Sequence, residues 1–231
     1  MARRLLLFDI DGTLISCGRQ VAAIFAASLR EVFGGHGPLE GFSFAGKTDP
    51  MIVRELTHSL GQPPAAIDSG LGRMSSLYVE RLARELAVEK MRVLPGVEPL
   101  LRSLATRADV TVGLLTGNWR GGAEAKLSRV GLWDFFALGA FGEDARDRRG
   151  LVPVALERAS RLAGAEFRPA DALIIGDTAL DVDCAKASGV PCLAVATGFT
   201  PAEELRAAGA DWVFEDLVAA GRELPLFAAG G

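Results

Sequence analysis

Residues 5–15 of this chain, LLLFDIDGTLI, decide the fold. The apolar run LLLF lacks the alternation of a half-exposed strand, so it predicts a strand that is buried on both faces. The run ends at Asp9, and Asp11 comes just before Gly12, which permits a tight turn. Two carboxylates just after a buried strand indicate a polar site at this strand end, to which residues at the ends of the other strands could contribute.

Further apolar runs predict five more strands, and helical patterns lie between most of them. The predicted strands are residues 5–8, 110–115, 137–141, 172–175, 192–196 and 212–214, and the predicted helices are residues 97–107, 121–130, 151–163, 179–188 and 201–208. Alternation of buried strands with helices is typical of an α/β fold built on a doubly wound parallel sheet.

The segment between residues 16 and 90 breaks this alternation and shows three apolar stripes at helical spacing. The stripes comprise Val21, Phe25, Leu29 and Val32; then Met51, Ile52, Leu56 and Leu60; then Ile67, Leu71, Met74, Tyr78, Leu82 and Leu86. Asp49-Pro50 predicts the start of the second helix, with Asp49 as its N-cap. We therefore predict an α/β core domain of residues 1–15 and 91–231, with an inserted α-helical cap domain of residues 16–90.

Composition and charge exclude several classes of protein. The chain has 231 residues, of which 49% are hydrophobic and 23% charged, with a net charge of −4. The absence of a basic stripe argues against a nucleic-acid partner, and no apolar run is long enough to predict a membrane span. The amino terminus shows no signal peptide, so we expect a cytoplasmic protein. The three cysteines have no metal-binding spacing and predict reduced structural thiols.

Polar residues come directly after three of the predicted strands. Asp9 comes after the first, Thr116-Gly117-Asn118 after the second, and Asp177 with Asp181 after the fourth. The carboxyl ends of parallel strands share one edge of the sheet, which is where open α/β sheets bind ligands. Each aspartate could merely cap a helix. Four carboxylates at one edge, counting Asp11, instead predict a bound cation, and a donor set of oxygens alone suits Mg²⁺.

These residue types also suit a covalent displacement at phosphorus. A carboxylate beside Mg²⁺ can act as a nucleophile, which is the role predicted for Asp9. A second carboxyl group, Asp11, can give a proton to the leaving group and later take one from water. Thr116 and the backbone amides near it are suitable donors to phosphoryl oxygens.

Three motifs resemble those of the haloacid dehalogenase superfamily, in the right order. They are DIDGTL at 9–14, LLTGN at 114–118 and IIGDTALD at 174–181. The helical insertion is similar to the C1 cap of the phosphoglycolate phosphatase-like branch, and the core would be Rossmann-like.

The resemblance implies a role for each matching residue. Asp9 would be the nucleophile and a Mg²⁺ ligand. Asp11 would be the acid/base and would offer Mg²⁺ its carbonyl oxygen. Thr116, Gly117 and Asn118 would bind the phosphoryl group. Asp177 would bind Mg²⁺ directly. Asp181 would support the metal site without contacting the ion, or would contact it through a water molecule.

One family feature, a lysine before the last motif, is missing. The replacement candidates are Arg146, Arg148 and Arg149, and we predict Arg148; Lys126 is a weaker alternative. In the cap, the segment FAGKTDP at 44–50 resembles a loop that reaches the substrate. Lys47 could there bind a substrate carboxylate or phosphate, or could simply be an exposed lysine.

The resulting prediction is a Mg²⁺-dependent phosphatase that hydrolyses a small phosphate monoester through an aspartyl-phosphate intermediate. Phosphoglycolate and sugar phosphates are the expected class of substrate, so the expected partner is a small phosphorylated metabolite rather than nucleic acid or membrane. The alternatives are a phosphonatase with Lys47 as a Schiff base, a sugar-phosphate mutase, and an inactive binding module. The chain would be a monomer or a homodimer.

Overall fold

A computed structural model describes residues 3–224 and residue 227. The strands are β1 (Arg4–Phe8), β2 (Ile15–Ser16), β3 (Arg92–Val93), β4 (Val110–Leu115), β5 (Leu138–Ala140), β6 (Ala172–Gly176), β7 (Cys192–Val195) and β8 (Trp212–Phe214). Six of them form one sheet in the order β5-β4-β1-β6-β7-β8, and every neighbouring pair is parallel. The predicted α/β fold with a parallel sheet is confirmed.

Nine helices surround or extend this sheet in the described part of the chain. They are α1 (Gln20–Phe33), α2 (Asp49–His58), α3 (Pro64–Glu85), α4 (Val97–Ala105), α5 (Arg120–Arg129), α6 (Leu151–Ala163), α7 (Ala179–Ser188), α8 (Ala202–Ala208) and α9 (Leu217–Glu223). The ends of the predicted core strands and helices agree with the structure to within two residues. No described helix combines the length and the apolar character needed to cross a membrane.

The central strand β1 is buried from both sides, as its unbroken apolar run predicts. Leu6 and Phe8 belong to one hydrophobic cluster, which extends into the helices α1 to α3. Leu5 and Leu7 belong to a second cluster, formed with residues of α6 and α7. Because side chains alternate along a strand, β1 joins the two layers of the core and holds the residue after it, Asp9, at the middle of the sheet edge.

The helices α1, α2 and α3 lie in the segment predicted as a cap. Trp119, from the loop after β4, packs into this segment. Its ring stacks on Phe25, with centroids 6.0 Å apart. Tyr78 meets the same phenylalanine edge-on at 4.9 Å. The helical segment thus shares its aromatic core with the loop after β4.

The prediction that Asp49 caps α2 is wrong. Thr48 is the N-cap, and its hydroxyl accepts a hydrogen bond from the backbone N–H of Met51. Asp49 is the first helical residue, and its Oδ2 instead accepts from the backbone N–H of Trp119 at 2.8 Å. The second apolar stripe also includes Leu60, but α2 ends at His58.

The two connections between the helical segment and the core run side by side. The strand β2 pairs with β3 in antiparallel register, Ile15 with Val93 and Ser16 with Arg92. The backbone N–H of Leu94 adds a bond to the carbonyl of Leu14 at 3.0 Å. The predicted domain boundaries fall at this pair of strands, and the division into two domains stays a prediction. Residues 1, 2, 225, 226 and 228–231 of the predicted core domain lie outside the described residues.

Candidate active site

Three neighbouring strands bring the predicted residues to one edge of the sheet. The strand β1 lies between β4 and β6, so the residues directly after these strands, Asp9, Thr116 and Asp177, are adjacent. The backbone N–H of Asp9 bonds to the carbonyl of Ile175 at 2.9 Å, which continues the ladder beyond the strand end. All three side chains are buried.

Three buried carboxylates form the centre of the site. Asp9, Asp177 and Asp181 each present an oxygen, and these oxygens lie within 4.8 Å of one another. Asp181 also completes the capping box of α7, whose N-cap is Thr178: its Oδ2 accepts from the hydroxyl and the backbone N–H of Thr178. The capping role and the role in the cluster are therefore compatible in this residue.

Glycine residues allow the chain to surround Asp177 closely. Gly12 has a φ of +91°, and a Cβ there would lie 2.2 Å from Asp177 Oδ2. A Cβ at Gly198 would lie 1.7 Å from the same oxygen. The hydroxyl of Thr13 donates to Asp177 Oδ1 at 2.9 Å. The narrow cradle and its carboxylate oxygens would suit a small hard cation such as Mg²⁺, with Asp9 and Asp177 as candidate ligands.

Arg148 is the cation beside these carboxylates. It lies in the turn before α6, and its Nη2 is 3.0 Å from Asp9 Oδ1 and also donates to Asp181 Oδ1. Its Nε is buried and makes no hydrogen bond to any described residue. Of the other candidates, Arg146 is exposed and Arg149 pairs with Asp183.

Burial and nearby negative charges raise the pKa values of Asp9 and Asp177. Burial raises the pKa of Asp9 to about 6 although Arg148 opposes the shift. Burial, together with the charges of Asp181 and Asp9, raises the pKa of Asp177 well above its ordinary value. One guanidinium thus compensates three carboxylates incompletely, and a divalent cation would supply the missing positive charge.

Asp11 belongs to a second group of polar side chains. Its Oδ2 accepts from Lys126 Nζ at 2.6 Å and from Asn118 Nδ2 at 2.9 Å. The same amide group of Asn118 donates to Thr116 Oγ1 at 2.9 Å, and Asn118 Oδ1 accepts from Lys126 at 2.6 Å. Burial alone would lower the pKa of Lys126, but the neighbouring acidic groups, Asp11 foremost, together outweigh burial and raise it. The contact between Lys126 and Asp11 is not predicted by any sequence pattern.

The cap loop, which we define as residues 44–49, lies directly against the site. The carbonyl of Gly46 accepts from Arg148 Nη1 at 3.3 Å, and the backbone N–H of Asp49 bonds to the carbonyl of Gly117 at 2.7 Å. A Cβ at Gly117 would lie 2.0 Å from the carbonyl oxygen of Lys47. The backbone of the cap loop therefore covers the edge of the sheet.

The Lys47 side chain is not part of the carboxylate cluster. Its ammonium group pairs with Glu55 and lies 4.4 Å from the centre of the Phe42 ring. The three cysteines, Cys17, Cys184 and Cys192, are buried and unbridged, and none of them belongs to the candidate ligand set.

Comparison with known proteins identifies the family. The model of the haloacid dehalogenase-like hydrolases matches residues 6–195. A phosphoglycolate phosphatase of Synechococcus elongatus is 28% identical, over 91% of this chain and 92% of its own. Another from Rhodobacter capsulatus is 30% identical, over 87% of this chain and 88% of its own.

Solved structures share the fold at lower identity. CbbY from Rhodobacter sphaeroides, in complex with phosphate, superposes with a TM-score of 0.67 at 19% identity, covering 95% of this chain and 96% of its own. A hydrolase from Pseudomonas syringae gives a TM-score of 0.66 at 21% identity, covering 98% and 99%. The predicted family and the predicted enzyme class, a phosphatase, are confirmed. The chain belongs to the haloacid dehalogenase-like hydrolases, in their phosphoglycolate phosphatase-like branch.

Proposed function

We propose that this chain is a Mg²⁺-dependent phosphatase that hydrolyses a small phosphate monoester through an aspartyl-phosphate on Asp9. The observation that carries the proposal is the contact of Asp9 with Arg148 inside a buried cluster with Asp177 and Asp181. A carboxylate nucleophile in such a cluster needs positive charge on several sides, and a phosphoryl group needs the same. Mg²⁺, when bound, would neutralise charge on the phosphoryl oxygens and help to align them.

In the first step, a carboxylate oxygen of Asp9 forms a bond to phosphorus while the bond from phosphorus to the ester oxygen breaks. Asp11 gives its proton to the departing alkoxide. Arg148, Thr116 and the backbone N–H of Gly117 stabilise the phosphoryl oxygens during this transfer.

In the second step, a water molecule attacks the aspartyl-phosphate. The ionised Asp11 takes a proton from the water, the bond between phosphorus and Asp9 breaks, and inorganic phosphate is released. The buried position of Asp9 and the cap loop above it keep other water away from the reacting atoms.

The size of the substrate is limited by the cap loop. Because Gly46 contacts Arg148 and Asp49 contacts Gly117, the cap loop lies close to the edge of the sheet, and only a small molecule would fit between them. Together with the phosphoglycolate phosphatases among its relatives, this favours phosphoglycolate or another small phosphorylated acid or sugar. Lys47 remains a candidate for binding such a substrate, once its contact with Glu55 is exchanged. A cytoplasmic location and a monomeric or dimeric state stay predictions.

A panel of phosphate monoesters, assayed with Mg²⁺ and with EDTA, tests the proposal. We expect hydrolysis of at least one small ester with Mg²⁺, and loss of activity in EDTA or in Asp9→Asn, which keeps the shape of the side chain. A Mg²⁺-dependent beryllofluoride adduct at Asp9, detected by fluorine NMR, would support the covalent step.

Activity that survives in Asp9→Asn would contradict the aspartyl-phosphate. A bisphosphate intermediate would instead indicate the mutase, and borohydride trapping at Lys47 the phosphonatase. Inactivity towards every ester, with Mg²⁺ bound, would favour the inactive binding module.

A further inference from the structure

Lys126 is a buried lysine to which the proposed reaction gives no task. It lies on the buried face of α5, beside the buried residues Ala123 and Leu127, and only 2% of its side chain is exposed. Removing an ammonium group from water is costly unless it is paired and hydrogen-bonded. The contacts of Lys126 therefore need an explanation.

Lys126 contacts one oxygen of Asp11 both directly and through Asn118. Lys126 Nζ donates to Asp11 Oδ2, and it also donates to Asn118 Oδ1. Since a lysine can only donate, this second bond fixes which end of the Asn118 amide faces it. The amide nitrogen then points to Asp11 Oδ2 and to Thr116. Two donors thus meet at Oδ2, and neither bond involves Oδ1.

The Asp11 side chain needs such support because 42% of it is exposed. An exposed carboxylate in a turn samples several rotamers, whereas proton transfer requires one orientation. A buried lysine on a helix is a rigid anchor by comparison.

We infer that Lys126 is a positioning residue for Asp11. Lys126 holds Oδ2 of Asp11 both directly and through Asn118, so that Oδ1 of Asp11 faces the oxygen of the leaving group. The inference rests on the proposed function, since it assigns Asp11 to proton transfer. It also gives the two buried cations of the site different roles. Arg148 serves the nucleophile Asp9, and Lys126 serves the proton carrier.

The test compares two small substrates that differ in their need for a proton. The glycolate alkoxide of 2-phosphoglycolate needs one on leaving, whereas the acetate of acetyl phosphate does not. For Lys126→Met, we expect kcat/KM to fall about 10²-fold with 2-phosphoglycolate and only a few-fold with acetyl phosphate. The exposed Lys90→Met is the matched control and should behave like the wild type with both.

A double-mutant cycle sharpens the result. Asp11→Asn should show the same dependence on the leaving group, and Lys126→Met combined with Asp11→Asn should lose little more than Asp11→Asn alone. If Lys126→Met does not fold, Lys126→Gln replaces it, since it removes the charge and shortens the reach.

Equal losses with both substrates would overturn the inference, because a purely structural role does not distinguish leaving groups. Unchanged kinetics in a folded variant would overturn it as well. If the wild type hydrolyses neither substrate nor any ester of the panel, the proposed function itself fails. If the wild type is active and only the dependence on the leaving group is absent, the inference alone fails.

Discussion

Arg148 reaches Asp9 from the turn before α6, with its Nη2 3.0 Å from Asp9 Oδ1. The same nitrogen donates to Asp181, and Nη1 donates to the carbonyl of Gly46 in the cap loop. A single guanidinium therefore contacts the predicted nucleophile Asp9, the capping-box residue Asp181 and the cap loop. A lysine ammonium at this position is a single point charge without the planar fork.

Replacement of Arg148 should reduce activity in steps. We expect kcat/KM to fall by about 10-fold in Arg148→Lys, which keeps the charge, and by about 10³-fold in Arg148→Ala, which leaves the carboxylates unpaired. Arg149→Ala is the matched control, since Arg149 is exposed and pairs with Asp183. Steady-state kinetics, with near-ultraviolet circular dichroism to verify folding, measures this, and full activity in Arg148→Ala would contradict the role.

Removal of the Asp177 charge should stabilise the metal-free protein. The pKa of Asp177 is raised in the folded state, so the stability that its protonated form contributes is lost as the pH rises through this raised pKa. At about pH 8 in EDTA, Asp177→Asn should therefore melt at a higher temperature than the wild type. Excess MgCl₂ should raise the melting temperature of the wild type and leave that of the variant nearly unchanged. Thermal unfolding measures both.

The exposed Asp183, on the same helix as Asp181, provides the control for this prediction. Asp183→Asn should keep the stabilisation by Mg²⁺. If Asp177→Asn responds to Mg²⁺ as strongly as the wild type does, Asp177 is not a metal ligand.

Asp49 should make stability depend on pH. Burial raises its pKa to about 7, against the opposing effects of Lys126 and of the Trp119 N–H. Its contribution to stability is therefore complete below about pH 4 and is lost as the pH rises through 7. Between these values, the free energy of unfolding of Asp49→Asn should gain on the wild type by up to about 1.4 kcal/mol per pH unit.

Urea unfolding at several pH values measures this gain. Asp68→Asn, which changes an exposed carboxylate paired with Arg54, should show no such trend. A difference between Asp49→Asn and the wild type that stays constant with pH would mean that Asp49 is ionised at all these pH values.

Gly117→Ala should weaken the docking of the cap loop while keeping the backbone N–H of residue 117. The added Cβ would lie 2.0 Å from the carbonyl oxygen of Lys47, which is backbone and must move. We expect kcat/KM to fall by about 10²-fold and proteolysis within the cap to become faster. Gly221→Ala is the control, because a Cβ there meets no atom within 4 Å. Wild-type kinetics in Gly117→Ala would show that tight docking of the loop is not needed.

The regular part of the fold could be predicted from the sequence because the buried strands are unbroken apolar runs. The strands β2 and β3 have two residues each, which is too short for any periodic pattern. The helix α9 is also not predicted. The predicted cap of α2 is one residue late because Thr48 and Asp49 are both good capping residues, and only the contact with Trp119 decides between them.

In the site, the order of motifs along the chain and the rule for parallel strand ends bring Asp9, Thr116 and Asp177 together. The choice among three neighbouring arginines depends on which one the turn before α6 directs inward, and this is a matter of packing. The burial of Lys126 could not be predicted from the sequence, because α5 has few apolar residues and they form no stripe at helical spacing. Only the folded structure shows that this lysine points inward, towards Asp11.

The pairing of β2 with β3 bears on how the enzyme exchanges its ligands. The chain leaves and re-enters the core through two strands that are bonded to each other, so the two connections cannot move independently. Twisting or sliding of the helical segment would break these bonds, whereas a swing about the ribbon preserves them. We expect such a swing to break the hydrogen bond between Arg148 and the Gly46 carbonyl on opening and to restore it on closing.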